Sequence, residues 1–394
     1  MTASPDDRPE RLLRGYGGRM ALLLFAAFLA MQLGRRLLPP LLPLLIEDFG
    51  ITPFAAGVAV STLAVARAAG QYPSGRFADD LSRKTVIVTS MAACVVGLGL
   101  VVLAPTFAAL LVGVAVFGAS FGVYDPADRA LLSDLFEEKR GRAFGLHFVG
   151  SDLAGVVAAG TAVVAVSAWR VAFLPSLLLL LPVVVLFYRW NREPMRVGWV
   201  DLEVRETLAR LLGTARLRWI LAAYVLFIFV ASGVTSFLPT FLIEVHGASF
   251  AVASGVFAAM YVVGVVMRPL SGWLADRFPR QLVAGGSLLV AGAGLAGLVV
   301  APSPAVALGA VVTYAVGLRS YSPPMQAHLM DVFDDESRGG DLGATRTVYM
   351  GLGSVGPAYV GFVAGRAGYV VAYAGAAAAL LVAAGISYRL ARIE

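Results

Sequence analysis

The chain has 394 residues, of which 59% are hydrophobic and 14% are charged. Because about one-quarter of the residues in a soluble domain are charged, this composition excludes a water-soluble fold. The net charge of +6 comes from basic residues spread between apolar blocks, which argues against a nucleic-acid partner. Cys94 is the only cysteine, so we expect no disulfide framework, no Cys/His metal cluster and no cofactor.

The apolar blocks have the length of membrane-spanning helices. A helix needs roughly 18–20 apolar residues to cross the hydrocarbon core, and the strict alternation of a β-barrel strand is missing. The sequence therefore predicts an all-α membrane protein with twelve transmembrane helices. The predicted spans lie near 20–46, 53–77, 85–104, 106–130, 141–166, 169–190, 218–243, 249–275, 282–301, 304–330, 340–365 and 368–390.

The distribution of Arg and Lys predicts the topology. When alternate connections are assigned to alternate sides, one side receives most basic residues and the other keeps little beyond Arg170 and Arg366. Cytoplasmic loops carry an excess of Lys and Arg, so we expect a multi-pass protein of the cell membrane with both termini in the cytoplasm. Its predicted parts are a cytoplasmic segment 1–19, a six-helix bundle 20–190, a cytoplasmic linker 191–217 with a surface helix near 204–212, and a second six-helix bundle 218–394.

The two predicted bundles repeat one another at an offset of 197 residues. The loop sequence that ends in Asp79 matches the one that ends in Asp276, and Gly50 matches Gly247. Tyr124, two residues before a proline, falls on Tyr321, which also precedes a proline by two residues. So many matches in one register indicate a duplicated unit of six spans, and parallel repeats of this kind are a recurrent transporter design.

The loop after the second span resembles the hallmark of the major facilitator superfamily, Gly-x-x-x-Asp-Arg/Lys-x-Gly-x-Arg/Lys-Arg/Lys. The first copy departs from it at Asp80 and Ser82, and the second at Pro279 and Gln281. The resemblance implies two six-helix bundles that alternate access to a central site, with the loops acting as a latch on the cytoplasmic side. The latch residues would be Gly75, Asp79, Arg83, Lys84, Gly272, Asp276 and Arg280. The alternative is that these charges only form a solvated loop.

Several charged residues lie far from the ends of the predicted spans. A charge in mid-membrane costs about 2.5 kcal/mol or more unless it faces a cavity or a partner. None of them recurs at the 197-residue offset, as expected for a site that holds an asymmetric ligand. Since guanidinium groups suit carboxylates and phosphates, we predict a small organic anion as substrate. The residues are Arg35, Arg36, Arg67, Arg319 and Asp152.

These charges also have structural interpretations. Arg35 or Arg36 could face the carbonyl groups of a neighbouring helix, and Arg67 could pair with Asp152. As the buried acid nearest the predicted site, Asp152 is the first choice for coupling to an ion, either a proton or sodium. Asp125 and Asp128 could relay protons or pair with Arg129, and we favour the structural pairing.

Other polar residues carry weaker predictions. Tyr124 and Tyr321 are candidates for contact with substrate, with aromatic packing equally expected. His147 is the type of residue that can carry a proton, but packing is the expected role of a single histidine near a helix start.

No enzymatic motif is recognisable, and a phosphate-binding Walker loop is missing, so we predict a non-enzymatic, monomeric transporter driven by an ion or substrate gradient. One alternative is proton-coupled efflux of amphipathic drugs, which the missing antiporter motif of the fifth span disfavours. Another is a non-transporting membrane receptor on the same fold.

Overall fold

The computed structural model describes residues 14–136, 139–196, 198, 215–332 and 338–393, without the side chains of 72–73, 75–80, 140, 330–332, 338–343 and 393. Thirteen α-helices lie in these ranges. They are α1 Gly15–Phe49, α2 Pro53–Asp80, α3 Arg83–Val102, α4 Phe107–Leu135, α5 Arg140–Val164, α6 Leu174–Trp190, α7 Ala215–His246, α8 Phe250–Ala275, α9 Arg280–Val299, α10 Pro304–Val332, α11 Arg338–Gly353, α12 Gly356–Ala367 and α13 Tyr369–Ile393. A short 3-10 helix, Trp169–Phe173, precedes α6.

The all-α membrane fold is confirmed. Within the described ranges, eleven segments are long and apolar enough to cross a membrane, and one of them, Ala344–Ala367, is formed by α11 and α12 together. The remaining predicted span is α10, whose 29 residues are also long enough at about 1.5 Å per residue. The predicted surface helix near 204–212 lies outside the described residues, and the bundle boundaries remain predictions.

The structure repeats the turn between its first two helices in the second half of the chain. Gly50 and Gly247 end α1 and α7 with φ angles of 58° and 62°, a left-handed conformation that glycine adopts without strain. Two residues later a hydroxyl caps the next helix: Thr52 accepts from the Ala55 amide at 3.2 Å, and Ser249 accepts from the Val252 amide at 3.3 Å. Equivalent residues therefore make equivalent turns.

We call α1–α6 the N-terminal half and α7–α13 the C-terminal half, and the membrane side on which Gly15 and Ile393 lie the terminal side. On the opposite, far side the halves meet closely. A Cβ atom at Gly57 would overlap the carbonyl oxygen of Pro357, and one at Gly361 would overlap that of Pro53. The helices α5 and α8 also pack together. These contacts close the far side of the space between the halves.

Candidate functional site

A cavity of about 340 Å³ lies between the two halves, at mid-length of the helices that line it. Helices α1 and α2 form one wall, and α7, α8, α10 and α11 form the other. Hydroxyls from α7 and α10 face apolar side chains from α1 and α2. Its volume is at the lower end of the range for small-molecule pockets. Five arginines line it: Arg35, Arg36, Arg67, Arg268 and Arg319.

Arg36 is the most buried of the adjacent arginines on α1, with 7% of its surface exposed. Its Nη2 donates to Ser151 Oγ of α5 at 2.6 Å, while its Nε is buried without a hydrogen-bond partner. Arg35 Nε donates to Gln32 Oε1 at 3.0 Å. Both arginines line the cavity. This geometry does not favour the alternative in which one of them binds only the carbonyl groups of a neighbouring helix.

Tyr261 of α8 holds two of these arginines, one from each half of the chain. The guanidinium of Arg36 lies 4.2 Å from the ring centroid, and that of Arg319 lies 4.6 Å from it. Arg319 also donates from Nε to the carbonyl oxygen of Met260 at 3.1 Å. A Cβ at Gly155 of α5 would lie 2.6 Å from the same ring, so only glycine at this position lets the ring approach α5. One aromatic side chain thus positions two cations at the junction of the halves.

Arg67 pairs with Asp125, and the alternative in which it pairs with Asp152 is wrong. Arg67 Nη2 lies 2.6 Å from Asp125 Oδ2, and Arg129 Nη2 lies 2.7 Å from the other carboxylate oxygen. Asp125 is fully buried. The α2–α4 packing that brings Asp125 to Arg67 keeps Asp152 on α5 away, so Asp125 and not Asp152 compensates the charge of Arg67.

Asp152 instead pairs across the two halves. Its Oδ2 accepts from Nη1 of Arg268 at 3.1 Å, and the two side chains are 19% and 39% exposed. Arg268 lines the cavity and Asp152 does not. The predicted coupling residue is therefore joined to the cavity through an arginine of the other half.

The remaining cavity arginines carry uncompensated charge. Within the described part of the chain, Arg35, Arg36 and Arg319 have no carboxylate within ion-pair distance, and no acidic side chain lines the cavity. In the same ranges, no group of three or more His, Cys, Asp or Glu side chains could hold a metal ion. The cavity thus presents three guanidinium groups that have no carboxylate partner among the described residues.

The two predicted tyrosines are buried outside the cavity. Tyr124 donates from its hydroxyl to the carbonyl oxygen of Leu24 at 3.2 Å. The Tyr321 ring packs 4.1 Å from that of Phe227, which does line the cavity. In this conformation neither tyrosine lines the cavity. Their contact with substrate remains a prediction.

Only some of the predicted latch residues in the first loop have side chains that the structure describes. The side chains of Gly75 and Asp79, at the end of α2, lie outside the described residues. Arg83 pairs with Asp134 at 2.6 Å, and the Lys84 ammonium donates to the carbonyl oxygen of Asn191 at 2.7 Å. Both partners belong to the N-terminal half.

In the second copy of the loop, Arg280 donates to the carbonyl oxygen of Ala327 at 3.1 Å. Gly272 accepts the amide of Asp276, which ends α8, and the Asp276 side chain is exposed without an ion pair to a described residue. The latch role of both loops remains a prediction.

Sequence reasoning missed three residues of the site: Arg268, Tyr261 and Ser151. Arg268 lies seven residues before the end of α8, so the rule that flagged the other arginines, a charge well inside an apolar span, also applied to it. Tyr261 and Ser151 gave no such signal. A tyrosine or serine in an apolar span is commonly a packing residue, and only the three-dimensional approach of α1, α5 and α8 reveals their contacts.

The chain was compared with known families, curated proteins and solved structures. No curated protein matches it. One similar structure is a bacterial homolog of the human lysosomal transporter Spinster in an inward-facing and occupied conformation, with a TM-score of 0.82, 20% identity and coverage of 96% of this chain and 97% of that one. Another is a peptide transporter POT in complex with sulfate, with a TM-score of 0.79, 14% identity and coverage of 96% of both chains. At these identities the likeness shows the fold.

The family comparison covers most of the sequence. The family model described as Major Facilitator Superfamily matches residues 23–357, a range that contains every arginine of the cavity and both copies of the loop motif. The chain therefore belongs to the Major Facilitator Superfamily.

Proposed function

We propose that this protein is a secondary transporter that moves a small organic anion by alternating access. Family membership supports the transporter, and one observation supports the anion: Arg35, Arg36 and Arg319 reach the cavity without a carboxylate partner among the described residues. Charges inside a membrane protein are costly unless they are paired or solvated. An anionic substrate would supply the missing negative charge, and the planar guanidinium groups would bind its oxygens in pairs.

The apolar side chains of the cavity limit the substrate further. Leu38, Val60 and Leu63 line the cavity beside the arginines of α1 and α2, so the preferred anion has a short hydrocarbon part beside its charged group. Alternating access would then follow from movement of the two halves about this site, with the Asp79 and Asp276 loops as the latch on the terminal side. That the terminal side faces the cytoplasm remains an expectation. The same holds for the cell membrane as the location of the protein.

Asp152 has a place in this mechanism as the partner of Arg268. An anion that reaches Arg268 competes with the Asp152 carboxylate, and this competition would loosen the contact between α5 and α8. Asp152 would thus couple binding to the movement of the halves. The energy would come from an ion gradient or from exchange of substrate.

Efflux of amphipathic drugs is the second candidate, and the apolar side chains that line the cavity on α1 and α2 favour it. A cationic drug, however, would meet a wall of like charge. Binding of neutral or cationic ligands that persists after removal of the arginines would support efflux. If such ligands bind but are not transported, the result would support a receptor.

A thermal-shift screen of the purified full chain tests the proposal. Succinate, benzoate, phosphate, sulfate, glucose and a cationic dye are compared with wild type, Arg36→Ala, Arg319→Ala and the control Arg366→Ala, whose side chain is exposed at the far end of α12. Bound ligand raises the apparent melting temperature by mass action. We expect stabilisation by a carboxylate that is weakened about 10-fold or more in the two cavity variants, because a hydrogen bond to a charged group contributes about 1.5–3 kcal/mol. Stabilisation by the dye alone, or equal stabilisation of all variants, contradicts the anion site.

A further inference from the structure

Asp128 and His147 form a fully buried pair inside the N-terminal half. The two side chains are 0% and 2% exposed, and Nε2 of His147 lies 2.8 Å from Oδ2 of Asp128. The imidazole packs on the ring of Phe28 with centroids 4.3 Å apart. The pair is thus fixed between α4, α5 and α1, and it takes no part in lining the cavity.

The pair must hold at least one proton. An unprotonated nitrogen and an unprotonated oxygen at 2.8 Å would bring two lone pairs together in a medium of low dielectric constant. Once the pair holds a proton, Nε2 of His147 and Oδ2 of Asp128 satisfy one another at 2.8 Å. Nδ1 of His147 is buried and has no hydrogen-bond partner in the described structure. A buried unsatisfied atom of this kind calls for an explanation, and a site that gains and loses a proton provides one.

The pair is joined to the cavity by one turn of helix. Asp125 precedes Asp128 by three residues, so both carboxylates lie on the same face of α4. Asp125 binds Arg67, which lines the cavity, and also Arg129. A proton that arrives at the pair therefore changes the charge one helical turn from Asp125, the carboxylate that binds the cavity-lining Arg67.

Other titratable or charged groups surround the pair. Helix α4 contributes Tyr124, Asp125 and Arg129, and α5 contributes His147 itself. The groups from other helices are Arg67 of α2, Cys94 of α3 and Arg346 of α11. From α1, the packed groups are apolar or backbone, Phe28 and the carbonyl of Leu24. Arg67, Arg129 and Arg346 act on Asp125, and of these three Arg129 also acts on Asp128.

A small crevice lies beside the imidazole ring. His147 lines it together with apolar side chains of α1, α4 and α5, and its volume is about 20 Å³. A single water molecule needs about 10–15 Å³ and polar partners, and of the lining side chains only the imidazole is polar.

We propose that the Asp128–His147 pair is the proton-binding site that couples anion transport to the proton gradient. This inference rests on the proposed function, since it requires an anion at Arg67. The added proton raises the positive potential at the cavity, so anion affinity increases as the pH falls. By reciprocity, the bound anion raises the proton affinity of the pair by the same factor. Anion and proton would cross together, as in a symporter.

Two readouts test the proton site and the coupling separately. The first is pH-difference infrared spectroscopy of the purified full chain without ligand, between about pH 8 and pH 5, where imidazole pairs titrate. We expect a carboxyl or imidazole band that Asp128→Asn and His147→Gln both remove and that Asp134→Asn, a change in an exposed ion pair, retains. Absence of the band in the wild type, or its survival in Asp128→Asn, would overturn the proposal.

The second readout is the affinity for succinate over the same pH range. Wild type should bind about 10-fold more tightly at the lower pH, whereas Asp128→Asn, which keeps the shape but removes the negative charge, should bind equally at both. The proposal would be overturned if the pH dependence of succinate binding were lost in Asp152→Asn and kept in Asp128→Asn. In that case Asp152 would be the coupling residue. If wild type binds no carboxylate at any pH, the proposed function fails, and the infrared result alone decides the proton site. Gel filtration and helical circular dichroism identify any variant that fails to fold.

Discussion

Asp152 of α5 and Arg268 of α8 join the two halves of the protein at the edge of the cavity, with 3.1 Å between Oδ2 and Nη1. Only the arginine lines the cavity. The pair therefore connects the charge of the ligand site to the contact between the halves.

The first prediction concerns this pair. In Asp152→Asn, Arg268 loses its carboxylate and the cavity gains an uncompensated positive charge. We expect succinate to bind about fivefold more tightly, since one more charge within ~4 Å contributes about 1 kcal/mol in a water-filled site. Net uptake into liposomes at saturating succinate should fall, because ligand and carboxylate no longer compete for Arg268. Calorimetry and radiolabel uptake measure the two effects.

The matched control is Asp48→Asn, which also breaks an ion pair with an arginine, Arg170 at 3.0 Å, but at the far end of α1. It should change neither affinity nor uptake. Equal succinate affinity in Asp152→Asn and wild type would mean that Asp152 does not compensate the cavity charge.

The second prediction concerns Tyr261, on which Arg36 and Arg319 both stack. Tyr261→Ala should weaken succinate binding about 10-fold, because each cation–π contact contributes about 0.5–2 kcal/mol and the two guanidinium groups lose their shared support. Tyr261→Phe keeps the aromatic face and should bind within about twofold of wild type. If Tyr261→Phe is as weak as Tyr261→Ala, the hydroxyl and not the ring is the important group.

The third prediction uses the close contact on the far side. A side chain at Gly57 would overlap the carbonyl oxygen of Pro357, so Gly57→Val should disfavour the conformation in which the far side is closed. A cysteine at Ser61, whose hydroxyl accepts from the Ala358 amide at 3.1 Å, reports on this opening. We expect its alkylation from the far side to be at least about 10-fold faster in Gly57→Val.

Two controls make this labelling specific. The native Cys94 is fully buried and should react slowly. Gly365→Val introduces the same side chain on α12, where nothing lies within 4 Å of an added Cβ, and should leave the rate unchanged. Equal rates in both glycine variants would show that the contact at Gly57 does not control opening.

The fold followed from the sequence because its signals are local and repeated. Length, hydropathy and the 197-residue offset predicted the helices, and the paired caps at Gly50 and Gly247 show that the offset reflects equivalent geometry. The helix break between α11 and α12 was not predicted, although Gly353 precedes it and Pro357 stands in the first turn of α12, because the hydropathy of span 11 continues across it.

The sequence shows that the buried arginines do not recur at the repeat offset, and the structure gives a geometric reason for this asymmetry. Arg67 packs against Gly122, where a Cβ would overlap the Arg67 carbonyl oxygen, and Gly264 packs against Arg319, whose Cδ would lie 3.2 Å from an added Cβ. Residues 67 and 122 correspond to 264 and 319 at the repeat offset. Each half therefore places one arginine and one glycine at the same pair of positions, but on opposite helices.

The pairing of charges could not be predicted because it depends on which helices are neighbours. Arg67 and Asp125 are 58 residues apart, and Asp152 and Arg268 are 116 apart. Nothing in hydropathy or spacing selects Asp125 over Asp152 as the partner of Arg67. Packing of α2 against α4 decides it.

The fourth prediction concerns Glu193, which follows α6 and caps the start of α3. Its carboxylate accepts the backbone amides of Lys84 at 3.0 Å and Arg83 at 3.3 Å, where the positive end of the α3 dipole favours a negative charge. Glu193→Ala leaves both amides without this acceptor. We expect a loss of about 1 kcal/mol, typical of a lost helix cap, measured as a lower apparent melting temperature in detergent.

Glu193→Gln separates hydrogen bonding from charge at this cap. The amide oxygen still accepts from the α3 amides but has no net charge to interact with the helix dipole, so we expect a loss of about half that of Glu193→Ala. High salt should narrow the difference between wild type and Glu193→Gln, because screening weakens the dipole interaction and leaves the hydrogen bonds in place. A melting temperature equal to that of wild type in Glu193→Ala would mean that water satisfies these amides equally well, and that the chain after α6 is held to α3 by the Lys84 contact with Asn191 instead.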